Sequence, residues 1–151
     1  REVMADELAQ YDWLHLHHED FTGQYGKFYA RYKNQQWYME SKRRMEEMAA
    51  ELNFNKVSDL KLAVAKKIRE YVIGGGFLFA MCSATDTYDI ALAAENTDIC
   101  DWMFDGDPMD PDAQEKLDFS NTFAFENFQL VTNPMFYEYS SIDNINRRVN
   151  P

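Results

Sequence analysis

The sequence predicts an α/β domain: a parallel sheet with flanking helices, followed by a β-rich C-terminal tail. Three observations predict it. Leu60, Val64, Ile68 and Val72 recur at four-residue spacing, the stripe of an amphipathic helix. Gly74-Gly75-Gly76 breaks that helix, and Phe77–Met81 is then a continuous apolar run, the pattern of a parallel strand buried on both faces. A second helical pattern follows, with Tyr88, Ala91, Leu92 and Glu95 behind the N-cap candidates Ser83, Thr85 and Asp86. Cys82 sits between strand and helix. That order places a thiol at the carboxyl edge of a sheet and at the amino end of a helix.

Composition bounds the reading. A chain of 151 residues with 46% hydrophobic and 15% aromatic content is one packed domain. No apolar run approaches the roughly 20 residues of a membrane helix, so no membrane span is expected. A net charge of −11 repels phosphate backbones and argues against nucleic-acid binding; it favours cationic ligands. Two cysteines, Cys82 and Cys100, make no disulfide framework, and their count leaves a single bridge open. The chain starts at Arg1 without a signal-like segment, which predicts a removed leader or a piece of a longer protein.

The remaining elements follow in order. Glu2–Gln10 reads as the end of a helix. Tyr11–Leu16 reads as the first strand, and Phe21–Lys27 as a glycine-bearing loop. Trp37–Leu52 is helical, with Tyr38, Met45, Met48, Ala49 and Leu52 on one face. Ser58 is the expected N-cap of the next helix, and Gly74 its left-handed C-terminal residue. Ile99–Phe104 is a short apolar stretch, and Asp105–Asp112 a loop rich in aspartate and proline. Pro111 after Asp110 suggests a short helix over Asp112–Leu117. From Thr122 the apolar residues alternate, through Phe123, Phe125, Phe128 and Leu130 and again over Met135–Tyr139, which predicts strands. Ile142–Pro151 is polar and without closure. Two strands make a poor core, so further strands are expected from sequence outside this chain or from a partner.

Two groups of residues carry chemistry. Cys82, at a strand–helix junction, has the placement of a nucleophile elbow, with the small residues Ala80 and Ala84 two positions to either side. A helix amino terminus favours the thiolate. The rival reading is a buried structural cysteine. The second group is His15, His17, His18, Glu19 and Asp20, which holds every histidine of the chain. On an extended strand His15 and His17 share a face and His18 points away. If the two strands run parallel, His17, His18 and Cys82 share the carboxyl edge, where open α/β sheets bind ligands. An imidazole there takes the thiol proton, and Glu19 or Asp20 orients the ring. The same residues could hold a divalent metal, although no established ligand spacing is present. The rival reading is loop histidines bonded to backbone, favoured for His15. The aspartates at 105, 107, 110 and 112 lack the EF-hand order and read as a solvated turn. The three glycines precede the strand, on the wrong edge to cradle a phosphate.

The runs Leu62–Ala94, Tyr11–Tyr29 and Ile99–Pro111 together resemble a bacterial family commonly labelled asparagine synthetase B. The resemblance implies a flavodoxin-like, class I glutamine amidotransferase-like fold, of which this chain is a part, and a periplasmic or exported location. It carries Cys82 over to the elbow position of that fold. The histidine and glutamate partners of such enzymes lie on a later strand, and no histidine follows Cys82 here, which leaves His17 and His18 as the base candidates. Glutamine-dependent asparagine synthetases proper use an amino-terminal cysteine and a Ser-Gly-Gly-x-Asp-Ser loop, and this chain has neither. The expectation is a cysteine-dependent amide or ester hydrolase using Cys82, His17, His18 and Glu19, without a cofactor. The alternative is a non-catalytic exported binding domain that takes a small molecule or metal through the His15–Asp20 loop. In both, the rest of a longer chain or a larger assembly is the expected partner.

Overall fold

The computed structural model describes residues 1–143. Its centre is a two-stranded parallel sheet, β1 (Trp13–His17) beside β2 (Phe77–Met81), in the register Trp13↔Phe77 through His17↔Met81. Helices α1 (Tyr29–Tyr32), α2 (Gln36–Glu51) and α3 (Val57–Ile73) lie between the strands in sequence; α4 (Ser83–Ala93) and α5 (Trp102–Asp105) follow β2. The class is therefore α/β.

Local chemistry sets the register. Helix α3 ends at the glycine turn, where Gly75 is left-handed (φ +105°) and a Cβ on Gly76 would fall within 2.3–2.5 Å of the Tyr71 ring. That ring lies over the turn because the Tyr71 hydroxyl donates to the Tyr11 carbonyl at 3.0 Å. Phe77 N–H then donates to Asp12 O at 3.1 Å and starts the ladder. Leu14, Leu16, Leu78 and Ala80 turn to one face and pack against α3 and α4 through Ala65, Ile68, Ala84, Tyr88 and Leu92. Burying Ile68 and Leu92 completely is worth about 1.5–3 kcal/mol each.

Several expectations are corrected. Strand β2 is not buried on both faces: Phe77, Phe79 and Met81 are exposed, as is Trp13 opposite them, because no layer covers that side among the described residues. The N-terminal segment forms two short 3₁₀ turns, Val3–Ala5 and Leu8–Gln10, in place of a helix end. Helix α3 starts one residue before Ser58, with Lys56 as N-cap, and the left-handed glycine is Gly75, not Gly74. No helix forms over Asp112–Leu117, only turns.

The tail is not β-rich. Over residues 122–143 the ladder is one antiparallel bridge, Leu130↔Ser140. The amides of Phe123, Ala124 and Phe125 go instead to the carboxylate of Asp89 on α4, at 2.8–2.9 Å. The alternating apolar residues are anchors: Phe128 and Tyr139 are buried against Ile90, Ala93 and Ala94, with Phe125 and Leu130 beside them. Lys27, buried and left-handed (φ 58°), ties the tail to the opposite loop by donating to Val131 O at 2.8 Å and Asn133 O at 3.3 Å. Burial lowers its pKa to about 8. The residues from 144 onward, within the expected polar end Ile142–Pro151, lie outside the described part.

Candidate functional site at the carboxyl edge of the sheet

Parallel pairing puts the ends of β1 and β2 side by side. With His17 opposite Met81, the next residues, His18 and Cys82, leave the sheet together. Both have positive φ: His18 at 59°, and Cys82 at 54° with ψ −138°. The Cys82 conformation lies outside every broadly allowed region for a residue with a Cβ, and such strain costs about 1–3 kcal/mol. Cys82 is the N-cap residue of α4, and its side chain makes no capping hydrogen bond. The expected caps do other work. Thr85 Oγ1 donates back to Ala80 O at 3.4 Å, and Thr85 N–H closes the turn on Cys82 O at 2.9 Å. The Ser83 and Ala84 amides meet no backbone acceptor among the described residues; Ser83 is half-buried beside the thiol, whereas Ala84 is fully buried in the core.

The left-handed turn at His18 changes what strand alternation predicts. His18 does not point away from His17; the two rings lie 3.8 Å apart, centroid to centroid. The donor atoms of His17, His18 and Cys82 all fall within 4.8 Å of one another, and all three residues are exposed. No hydrogen bond joins the thiol to either ring, so proton transfer needs these exposed side chains to close part of a separation already within 4.8 Å. Cys82 is a free thiol, not a buried structural cysteine, and Cys100 is also free, so no bridge joins them.

Buried Thr87 holds the two halves of this rim together. Its hydroxyl oxygen lies 2.5 Å from Ser83 O and 3.0 Å from Glu19 O, sharing one proton, and accepts the Phe21 N–H at 3.3 Å. The loop after His18 is thereby fixed to the first turns of the cysteine's own helix. Asp20 completes the loop, accepting from Thr22 N–H, Thr22 Oγ1 and Gly26 N–H at 2.6–2.7 Å.

The orienting role expected of Glu19 or Asp20 is not met. The Glu19 carboxylate faces Lys61 at 3.7 Å, and the Asp20 carboxylate is spent on backbone and Thr22. Among the described residues the site is a thiol with two imidazoles and no carboxylate on either ring. His15 stays on the open face of the sheet, its Nε2 3.3 Å from Met81 Sδ. A cavity of about 170 Å³ opens beside His18 and Glu19, walled by Tyr25, Phe28, Trp37 and Tyr38. It is smaller than the roughly 300–1,000 Å³ of sites for drug-sized ligands and suits a single side chain. A larger cavity of about 520 Å³, lined by Tyr11, Tyr71 and Gly74–Gly76, lies at the opposite, amino edge.

Asp86, on the first turn of α4, is buried, with Oδ2 unpartnered among the described residues. Burial raises its pKa to about 6, and Asp143 and Asp20 add to the effect. A carboxyl held above its unfolded value near 3.8 contributes stability that is complete below that value and is lost as pH rises through about 6. Asp86→Asn is therefore expected to be more stable than the parent at pH 7 by about 1–3 kcal/mol and equal to it below pH 4, measured by urea unfolding at both pH values.

The acidic loop is not simply a solvated turn. Lys56 Nζ lies 2.7 Å from Asp98, 2.6 Å from Asp107 and 3.2 Å from Asp105. Asp98, Cys100 and Asp105 also bring three donor atoms together, but the Lys56 ammonium already supplies the positive charge there. The buried Cys100 thiol donates to Thr22 O at 3.1 Å, and burial pushes its pKa up. Asp89, Thr87 and Lys27 escaped sequence reasoning; the available signal was a polar residue inside an apolar helical stripe, as with Asp89 between Tyr88 and Ile90. No helix among the described residues is long and apolar enough to cross a membrane. Comparison with protein-family models, curated proteins and solved structures returns no match for this chain.

Proposed function

We propose that this chain carries the thiol centre of an amidotransferase-like α/β domain that cleaves an amide or ester through a thioester. The observation that carries the reading is Cys82: a cysteine held at φ 54°, ψ −138° between a strand and a helix, with two imidazoles beside it. Backbone strain is retained where the surrounding structure over-determines it, and an elbow aims a nucleophile out of the sheet edge.

His17 or His18 takes the thiol proton, and the thiolate attacks the carbonyl carbon. The oxygen that gains the electron pair takes the Ser83 amide at the positive end of α4. The carbon–nitrogen or carbon–oxygen bond breaks, the leaving amine or alcohol takes the proton back from the imidazolium, and a thioester remains on Cys82. Water, deprotonated by the same ring, then releases the acid and restores the thiol. The aromatic cavity beside His18 receives the side chain of the acyl group. Because no carboxylate orients either ring, the base is less well aligned than in a full triad, and turnover is expected to be slow.

The likeness to the asparagine synthetase B family supports an amide substrate, a flavodoxin-like arrangement and an exported setting. The bare sheet face supports a larger assembly: parallel sheets are covered on both sides, and here Trp13, Phe77, Phe79 and Met81 stand exposed together. The test is release of ammonia from glutamine and asparagine, and of alcohol from an activated ester, by the parent chain and by Cys82→Ala. Turnover in the parent that is lost in the variant supports the reading; equal turnover in both ends it.

A further inference from the structure

We propose that Cys82 Sγ and one ring nitrogen each of His17 and His18 form a three-ligand site for a zinc-class transition-metal ion, with a fourth position open to water or a small ligand. The three donor atoms lie within 4.8 Å of one another on exposed side chains. Around a tetrahedral zinc, with bonds of about 2.0–2.1 Å to nitrogen and about 2.3 Å to sulfur, donor atoms stand roughly 3.3–3.8 Å apart. Closing that difference takes a shift of about 1 Å, within the reach of surface rotamers.

Three further observations point to a ligand set. Consecutive strand residues should present their rings to opposite sides, and the left-handed turn at His18 brings them to one side instead. None of the three side chains is committed to a hydrogen bond among the described residues, whereas nearby His15 is engaged with Met81, Thr87 with the backbone and Asp20 with three donors. One thiolate and two imidazoles also form a donor set that selects zinc over magnesium or calcium, which prefer oxygen. Metal binding does not require that the thiol attack a substrate; if it does, bound metal withholds the thiolate and silences turnover.

The experiment is titration of the reduced, metal-free chain with cobalt(II), followed by absorbance. The expected result is one equivalent bound with a near-ultraviolet thiolate-to-cobalt charge-transfer band, displaced by zinc. Cys82→Ser, a near-isosteric change at an exposed position, should abolish the band while circular dichroism is unchanged. His17→Ala and His18→Ala should each weaken binding by more than about tenfold, and His15→Ala should leave it as in the parent. Absence of a charge-transfer band in the folded parent, or a band that survives in Cys82→Ser, overturns the site. Turnover of the metal-free parent is measured separately, so loss of this proposal and loss of the hydrolase reading are distinct outcomes.

Discussion

Replacing Cys82 with alanine is expected to lower amide or ester turnover by at least about 10⁴-fold, because no other exposed thiol can form the thioester. Cys100 cannot substitute. It is fully buried and hydrogen-bonded to Thr22 O. The alanine variant keeps the strained backbone, since alanine also carries a Cβ. Cys82→Gly should be equally inactive but about 1 kcal/mol more stable than Cys82→Ala, because glycine occupies φ 54°, ψ −138° without penalty. Turnover and stability thus move in different directions at one residue, as expected where strain is kept for chemistry. Comparison of rates and urea midpoints across the three proteins checks both parts. A glycine variant less stable than the alanine one would mean that the elbow is not strained.

Asp89→Ala is expected to destabilise the chain by about 3–5 kcal/mol, the largest effect of any polar substitution proposed. Its carboxylate, almost fully buried on α4, accepts from Phe123, Ala124 and Phe125 N–H at 2.8–2.9 Å. Charge-assisted bonds of this kind are worth about 1.5–3 kcal/mol each, and removing the acceptor leaves three amides unpaired. Asp89→Asn should recover little. An amide side chain keeps one acceptor oxygen and turns an NH₂ toward the remaining donors. The loss extends beyond the loop, because Phe125, Phe128 and Tyr139 are held on α4 by this anchor, and α4 carries Cys82 at its start. Chemical denaturation measures the effect; a loss under about 1 kcal/mol would show that the tail is held by apolar contacts alone.

The sheet edge was legible in the sequence because it depends on local rules. The four-residue stripe of α3, the glycine break and the apolar run of β2 each have one cause, and together they fixed where Cys82 leaves the sheet. Parallel pairing with the first strand, a condition in the sequence reading that expected it over Tyr11–Leu16, is met over Trp13–His17 and fits the helical crossover between the two strands. The orientation of His18 was not legible. It rests on a left-handed backbone angle in a non-glycine residue, which sequence patterns do not announce. The environment of Glu19 was equally hidden, since Lys61 belongs to a helix distant in sequence. The tail misled for a definite reason: alternating Phe123, Phe125, Phe128 and Leu130 mimic a strand, while one buried carboxylate, Asp89, takes the amides that a strand would pair. The bare face of β2 went unseen because an unbroken apolar run reads as double burial whether or not a covering layer is supplied.

The central claim is that the Cys82 thiol and the rings of His17 and His18 act as one group. Its most direct test is the rate of alkylation of the folded, metal-free chain by iodoacetamide at pH 7, in the parent and in a His17→Ala, His18→Ala double variant. A single fast-reacting thiol at Cys82 is expected in the parent, at least about tenfold slower in the double variant, with Cys100 modified only on unfolding. Equal rates at Cys82 in the two proteins would contradict it.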